Sequence, residues 1–222
     1  MEIETELIQK YGKITGISAT FFEKTNEEDA RRTWLFKPEN GGIFLDWIHP
    51  VEITSHVLKA ESWKLIDART FLVQPLYDTV NPTAVEAKFE INGGNFKPSS
   101  VIHIRVGKGF DFEHKRFRLN FENDSVDLDY LSTEEEVITG KRGEMKITGD
   151  KRTIIPNGPL SYEIMIDGML GMLRGMNPSL SLDDAIKIYE PVWQFQEISK
   201  EMQPIRSKEE IKRFAETQQR IA

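Results

Sequence analysis

The sequence predicts an α+β fold, in which a large, mostly antiparallel open sheet of about six or more strands carries helices packed on one face. Two observations predict it. Along the chain, the order of elements is helix, strand, helix, a meander of strands, and then helices again. Several central strands also alternate apolar and polar residues, as residues 115–121 (KRFRLNF) do. Such alternation buries one face of a sheet and leaves the other face polar.

Hydrophobic periodicity and turn residues place the individual elements. Residues 2–10 are predicted to form a short helix that stops before Gly12, and residues 13–22 a strand. A helix over 49–59 begins with Pro50 in its first turn, where the missing N–H does no harm. The remaining predictions are strands over 63–73, 84–92, 101–106, 116–122, 125–130 and 144–147, and helices over 160–174, 182–200 and 208–221.

The composition is that of an ordinary globular protein, with 222 residues, 39% hydrophobic and 29% charged. We expect one main domain over residues 1–206, with residues 207–222 forming a charged helix appended to it. The net charge of -7, with basic residues spread along the chain, argues against a nucleic-acid partner. The absence of cysteine excludes disulfides and thiolate catalysis. No apolar run is long enough for a membrane span and the N-terminus is acidic, so we expect a cytoplasmic protein.

The segment most suited to chemistry is residues 41–49 (GGIFLDWIH), which places Asp46 and His49 three residues apart after a double glycine. That spacing brings two side chains to one side of a helical turn. A histidine can accept the proton of a substrate hydroxyl as a general base. His49 would be the base or a hydroxyl ligand, and Asp46 would orient it or hold another hydroxyl. Alternatively, His49 caps the helix begun by Pro50, and Asp46 accepts backbone N–H bonds in the turn.

Four further residues are predicted to bind a substrate, namely Arg32, Trp34, Gly42 and Trp47. A tryptophan can stack on a sugar ring and an arginine can bind its hydroxyls, although surface charges beside a core tryptophan are the simpler interpretation.

A metal site is a rival interpretation of the same region. His49, Glu52 and His56 would share one face of a helix, as a metal-dependent hydrolase could use. The two histidines would lie about 10 Å apart along the axis, too far to hold one ion easily, so no metal site is predicted.

Three segments resemble, in the same order, the C-terminal domain of the Gfo/Idh/MocA oxidoreductases. They are residues 6–17 (ELIQKYGKITGI), the double-glycine segment 41–49, and residues 160–185. The likeness extends over residues 5–200. Members of this family have an N-terminal Rossmann domain that binds NAD or NADP. The domain resembled here holds the sugar-like substrate and often forms the oligomer interface through its sheet face.

The sequence departs from the family in three ways. No Gly-x-Gly-x-x-Gly follows a strand, and residues 107–109 (GKG) lack the third glycine and the following helix. The family's Glu-Lys-Pro motif has no counterpart. Only two residues separate Asp46 from His49, where the family commonly has three.

The resemblance therefore implies the substrate-binding and assembly domain of a sugar or polyol oxidoreductase, inactive alone. It would bind no cofactor by itself and would use NAD or NADP through a partner domain, such as a separate Rossmann-domain subunit. It would form a homo-oligomer through its sheet face. The alternatives are a non-catalytic carbohydrate-binding or assembly module and, third, the metal-dependent hydrolase.

Overall fold

The computed structural model describes residues 2–24, 42–73, 81–131, 144–148, 152–154, 170 and 182–216. Arg32, Trp34, Gly41 and, apart from Leu170, the predicted helix over 160–174 lie outside the described residues. In the part of the chain that is described, no helix has both the length and the apolar character needed to cross a bilayer.

The described elements follow the predicted order. They are α1 (Glu2–Tyr11), β1 (Ile14–Lys24), α2 (Phe44–Glu52) with a π-helical turn (Ile53–Val57), β2 (Ser62–Phe71), β3 (Ala84–Asn92), β4 (Phe96–Phe110), β5 (His114–Phe121), β6 (Ser125–Leu131), β7 (Glu144–Thr148), β8 (Arg152–Ile154), α3 (Leu182–Ser199) and α4 (Lys208–Glu216).

All eight described strands belong to one sheet, in the order β2-β3-β4-β1-β5-β6-β7-β8. β1 and β4 are parallel, and every other neighbouring pair is antiparallel. The prediction of an α+β fold with a large, mostly antiparallel sheet is therefore confirmed. β1 lies inside the sheet between β4 and β5, although about seventy residues separate β1 from β4 in the sequence.

The main core lies on the face of the sheet that α2 and α3 cover. Every second residue of the strands points into this core, because successive side chains alternate between the two faces of a sheet. Trp47 of α2 is 0% exposed, and its ring centroid lies 4.8 Å from that of Phe195 of α3 and 6.3 Å from that of Phe89 of β3. Burial of each such aromatic side chain contributes roughly 1.5–3 kcal/mol, so this contact anchors α2 on the sheet.

The short helix α4 packs on the opposite face. Phe214 is buried, and its ring stacks on Phe71 at 4.1 Å between centroids and lies 5.1 Å from Phe22. Phe22 belongs to the set of strand residues whose side chains point away from α2. The expectation that all helices pack on one face is therefore corrected for α4, because Phe214 makes its charged sequence amphipathic.

The predicted boundaries of the second helix were also wrong, since α2 begins at Phe44 and not near His49. Gly42 adopts a positive φ of 54°, which favours glycine, and the chain is helical from Ile43 onwards. Pro50 therefore lies inside the helix, where it cannot donate to the carbonyl of Asp46. The Thr54 hydroxyl donates to the Pro50 carbonyl at 2.7 Å, where the helix widens into the π-helical turn.

Candidate functional site

Asp46 lies in the first turn of α2, beside the buried Trp47. Its backbone N–H donates to the carbonyl of Ile43 at 3.3 Å, which closes the turn after Gly42. Its carboxylate reaches the sheet, where Oδ2 lies 3.1 Å from Nζ of Lys108. The packing of α2 on the core thus brings a carboxylate to the carboxyl end of β4.

Lys108 is placed by the glycines on either side of it. A Cβ on Gly107 would lie 2.6 Å from Cβ of Ala84, so a side chain there would push β3 and β4 apart. Gly109 has a φ of 99°, which L-residues with side chains rarely adopt. The Lys108 N–H donates to the carbonyl of Thr83 at 2.8 Å. These contacts hold the backbone while the side chain extends towards α2.

Two further charged residues complete the group. Glu23, beside Lys108 in the parallel pair β1–β4, places Oε2 2.8 Å from Lys108 Nζ and Oε1 3.1 Å from Lys115 Nζ. We call Glu23, Asp46, Lys108 and Lys115 the carboxylate–lysine cluster. Their side chains are between 18% and 34% exposed, so the cluster is partly buried and still open to solvent.

Burial and charge determine which of these groups carry protons. Burial would lower the pKa of Lys108, but the carboxylates of Asp46 and Glu23 outweigh it and raise the pKa above its ordinary value. Burial raises the pKa of Asp46, and the Glu23 carboxylate adds to that rise, whereas Lys108 opposes it. Burial would also raise the pKa of Glu23, but Lys108 and Lys115 lower it overall. Lys108 is therefore protonated at neutral pH, and Asp46 is the carboxylate most easily protonated.

His49 lies on α2 three residues after Asp46, and its side chain is exposed. It is close enough to Asp46 for its charge to influence the pKa of that carboxyl. The structure thus brings the two predicted catalytic residues to one region. It pairs the Asp46 carboxylate with Lys108, a partner that the sequence did not suggest.

The predicted substrate residues differ in position. Gly42 lies in the turn that begins α2, next to the cluster in the chain. Trp47 is fully buried in the main core and contributes no accessible surface to the carboxylate–lysine cluster. Arg32 and Trp34 lie outside the described residues.

The metal site considered from the sequence requires a continuous α-helix over residues 49–56, and α2 ends before position 56. The helix ends at Glu52, and the chain widens into the π-helical turn, so the α-helical alignment of His49 with position 56 is lost. Within the described ranges, no group of three histidine or acidic residues could hold a metal ion.

Sequence reasoning missed Glu23, Lys108 and Lys115, although a signal for them exists. Lys115 is in phase with Phe117 and Leu119 on the buried side of β5, and charged residues in phase with a buried set are uncommon. In the sequence, the lysine between two glycines at residues 107–109 indicates only an incomplete nucleotide-binding motif.

Together these groups can bind a polyhydroxylated molecule. The lysine ammonium groups donate hydrogen bonds, and the carboxylates accept them from hydroxyls. The exposed His49 imidazole can exchange a proton at the edge of the cluster.

No protein-family model matches the sequence, and no curated protein matches it. Solved structures do match. The UDP-N-acetylglucosamine 3-dehydrogenase GnnA from Acidithiobacillus ferrooxidans is similar with a TM-score of 0.56 at 12% identity, over 86% of this chain and 56% of that protein. The aldose-aldose oxidoreductase from Caulobacter crescentus, complexed with glycerol, has a TM-score of 0.60 at 12% identity, over 88% and 58%. A 3-ketoreductase from Actinomadura kijaniata, in complex with NADP, has a TM-score of 0.60 at 11% identity, over 88% and 56%.

These proteins are oxidoreductases of the Gfo/Idh/MocA type, and this chain has the fold of the part of them that it covers. The chain spans little more than half of their length, between 56% and 58%. The resemblance to this family that the sequence indicated is thus confirmed in the fold.

Proposed function

We propose that this chain is the substrate-binding and assembly domain of a sugar or polyol oxidoreductase of the Gfo/Idh/MocA type. The observation that carries the proposal is the position of the carboxylate–lysine cluster beside the exposed His49, on a fold shared with sugar oxidoreductases. A partly buried group of donors and acceptors suits a neutral ligand with several hydroxyls.

Each residue of the site has a proposed role. Lys108 remains protonated, so it donates a hydrogen bond to a substrate hydroxyl and does not accept a proton. Asp46 accepts a hydrogen bond from a second hydroxyl. His49 is exposed and accepts the proton of the hydroxyl that is oxidised.

NAD or NADP would supply the hydride acceptor, held by a Rossmann domain in a partner subunit or elsewhere in the same protein. The NADP complex of the similar 3-ketoreductase supports a nicotinamide cofactor. The residues of this chain do not fit a dinucleotide, because no Gly-x-Gly-x-x-Gly joins a strand to a helix. In this proposal the chain is inactive alone and works in the cytoplasm.

Assembly through the open face of the sheet is part of the proposal. Arg116 and Arg118 of β5 lie on that face, opposite Asp127 of β6 and its neighbours. Arg116 Nη2 lies 2.6 Å from Asp127 Oδ2. Such an array of charged pairs suits a homo-oligomer, in which the same patch of two copies can pair.

The proposal is tested by polyol binding. The thermal unfolding temperature of the chain is measured with a panel of sugars and inositols, because a ligand that binds only the native state raises stability. With the best ligand, Asp46→Asn and His49→Asn are each expected to weaken binding about tenfold, which corresponds to the loss of about 1.4 kcal/mol. Glu52→Gln, a change on the same helix outside the cluster, is the control.

Catalysis is tested with the complete system. Added to a Rossmann-domain partner, the wild-type chain should support NAD(P)-linked oxidation of that ligand. His49→Asn should lower kcat and change KM by a smaller factor. No complex and no oxidation with any dinucleotide-binding partner would refute the split arrangement.

A non-catalytic carbohydrate-binding module is the second candidate. The permanent charge of Lys108 favours it, because a lysine held between two carboxylates binds but does not transfer protons. In that case Asp46→Asn abolishes polyol binding and His49→Asn leaves it unchanged.

A further inference from the structure

A separate cavity lies on the opposite face of the sheet, between α4 and strands β2, β3 and β4. Its volume is about 260 Å³. The lining residues are Arg69, Phe71, Glu86, Lys88, His103, Arg105, Ile205, Glu210, Arg213 and Phe214. None of them belongs to the carboxylate–lysine cluster.

Arg105 is the central observation in this cavity. Its side chain is 7% exposed, and its Nε donates to Glu86 Oε1 at 3.1 Å. Its Nη2 lies 3.1 Å from Nδ1 of His103. Its Nη1 is buried and has no hydrogen-bond partner among the residues that the structure describes. An unpaired buried donor destabilises the folded state, and more so when it is charged, so an anion close to the Arg105 guanidinium is favourable.

Glu86 has little capacity left to supply that acceptor. Its Oε1 already accepts from both His103 and Arg105. Its Oε2 lies 2.9 Å from Nη2 of Arg69. The single carboxylate of Glu86 therefore contacts two arginines and a histidine.

The charge around the cavity is positive overall. Four cationic side chains line it, Arg69, Lys88, Arg105 and Arg213, against two carboxylates, Glu86 and Glu210. The chain as a whole has a net charge of -7, so this local excess runs against the composition. An excess of positive charge in a concave, partly buried place attracts anions.

One wall of the cavity is apolar. Phe71 and Phe214 stack on one another at 4.1 Å between ring centroids, and Ile205 lies beside them in the lining. The volume of about 260 Å³ is slightly below the ~300–1,000 Å³ typical of small-molecule sites. The cavity therefore suits a small molecule with an anionic end and an apolar part.

We propose that this cavity binds a small organic anion, whose carboxylate or phosphate lies beside the guanidinium group of Arg105. Lys88 and Arg213 add to the attraction, and the apolar part of the ligand lies against Phe214. The site is separate from the carboxylate–lysine cluster, which lies on the other face of the sheet. It shares its face with the proposed oligomer contact, but at β2, β3 and β4 and not at β5 and β6.

Binding is measured by calorimetry at constant ionic strength, with benzoate as the carboxylate probe and phenyl phosphate as the phosphate probe. Benzamide, which has the same ring without the charge, is the neutral control. At least one anion is expected to bind at least tenfold more tightly than benzamide, a difference of about 1.4 kcal/mol. Whichever of benzoate and phenyl phosphate binds more tightly shows whether the cavity prefers a carboxylate or a phosphate. Equal binding of all three would overturn the proposal.

Two pairs of variants locate the site. Arg213→Gln and Lys88→Gln should each weaken anion binding about fivefold or more, consistent with the loss of one charged contact. Lys212→Gln, on the same helix but outside the lining, and Lys64→Gln, on the same face of the sheet, should change it less than twofold. Equal losses in both members of each pair would mean unspecific attraction and would overturn the site.

Arg105→Lys tests the central contact, because lysine keeps the charge beside Glu86 but cannot reproduce the fork of the guanidinium. Anion binding should be lost while polyol binding at the carboxylate–lysine cluster is retained. Circular dichroism verifies that the variant is folded; if it is not, the Arg213 and Lys88 pairs decide.

Discussion

β4 contributes Lys108 to one face of the sheet and Arg105 to the other, and the surroundings of these two cations differ. Lys108 points towards α2 and lies between two carboxylates, those of Asp46 and Glu23. Arg105, three residues earlier, points to the other face and shares the single carboxylate of Glu86 with Arg69. Positive charge is balanced by negative charge in the first place and exceeds it in the second. The first therefore suits a neutral ligand with hydroxyls and the second an anion, although one strand builds both.

Removing the negative charge of Glu86 is expected to have the largest effect. Glu86→Gln leaves Arg105 buried without a carboxylate, and breaking a buried pair costs about 3–5 kcal/mol. Urea unfolding at neutral pH measures the loss. Glu90→Gln on the same strand is the control, because the Glu90 side chain is 29% exposed and lies 3.9 Å from Lys64. It should cost less than about 1 kcal/mol. Equal losses would show that Glu86 does not neutralise the arginines.

Acid should weaken the protein through the same residue. Burial would raise the pKa of Glu86, but the hydrogen bond from His103 and the charge of Arg105 lower it from 4.5 to about 2. A carboxyl whose folded pKa is depressed adds stability above its unfolded pKa and loses it as the pH falls towards the folded value. About 2–3 kcal/mol should thus disappear between pH ~4.5 and ~2.

Burial also lowers the pKa of His103 by more than the Glu86 carboxylate raises it. The unfolded chain therefore takes up a proton on this histidine more readily than the folded protein does, so stability falls further as the pH drops below 6.5. Urea midpoints measured from pH 7 down to pH 3 follow both groups. Glu86→Gln should flatten the acid part of this curve. A variant that loses stability in parallel with the wild type would refute the assignment to Glu86.

Removing the cation on the other face should cost less. Lys108→Met keeps the apolar stem but leaves the carboxylates of Asp46 and Glu23 facing each other without an ammonium group between them. We expect a loss of about 1–3 kcal/mol at pH 7, because these side chains are only partly buried. The loss should be smaller near pH 5, since the raised pKa of Asp46 allows it to take up a proton. Lys97→Met is the control, at a side chain that is 49% exposed. A loss independent of pH would contradict this explanation.

Asp46→Asn should have the smallest effect on stability. The folded pKa of Asp46 is raised, mainly by burial, so its ionised form costs stability at neutral pH, and this cost disappears as the pH falls through the folded pKa. Asparagine avoids that cost, and Lys108 keeps Glu23 as a partner. The free energy of unfolding should change by less than about 1 kcal/mol. A loss above that value in chemical unfolding would make Asp46 a structural residue.

Alternation of apolar and polar residues was sufficient to predict most of the sheet. The strand predicted over 84–92 is β3, Ala84–Asn92, because apolar and polar residues alternate from Val85 to Asn92. β4 was predicted over 101–106 but extends from Phe96 to Phe110. Residues 107–109 indicated a turn in the sequence, whereas the strand continues through them, with a register shift against β1 at Gly109. A second register shift, between Phe96 and Val101, accommodates Pro98.

The site was predictable only in part, for a physical reason. Asp46 and His49 are neighbours in the chain, so their spacing on a helix could be read directly. Lys108 joins Asp46 only through the parallel pairing of β1 with β4 and the packing of α2 above them. Alternation shows which face a residue occupies but not which strand becomes its neighbour.

The position of β1 inside the sheet has a consequence for how the chain folds. Ile14 of β1 lies opposite Phe96 of β4 and Phe121 of β5. During synthesis, β1 therefore has no strand partner until more than a hundred residues have been made. Until then its phenylalanines belong to a strand that is not paired. Contacts between residues so far apart in sequence slow folding. We expect β1 to be the segment through which the nascent chain is most exposed to aggregation and most dependent on chaperones.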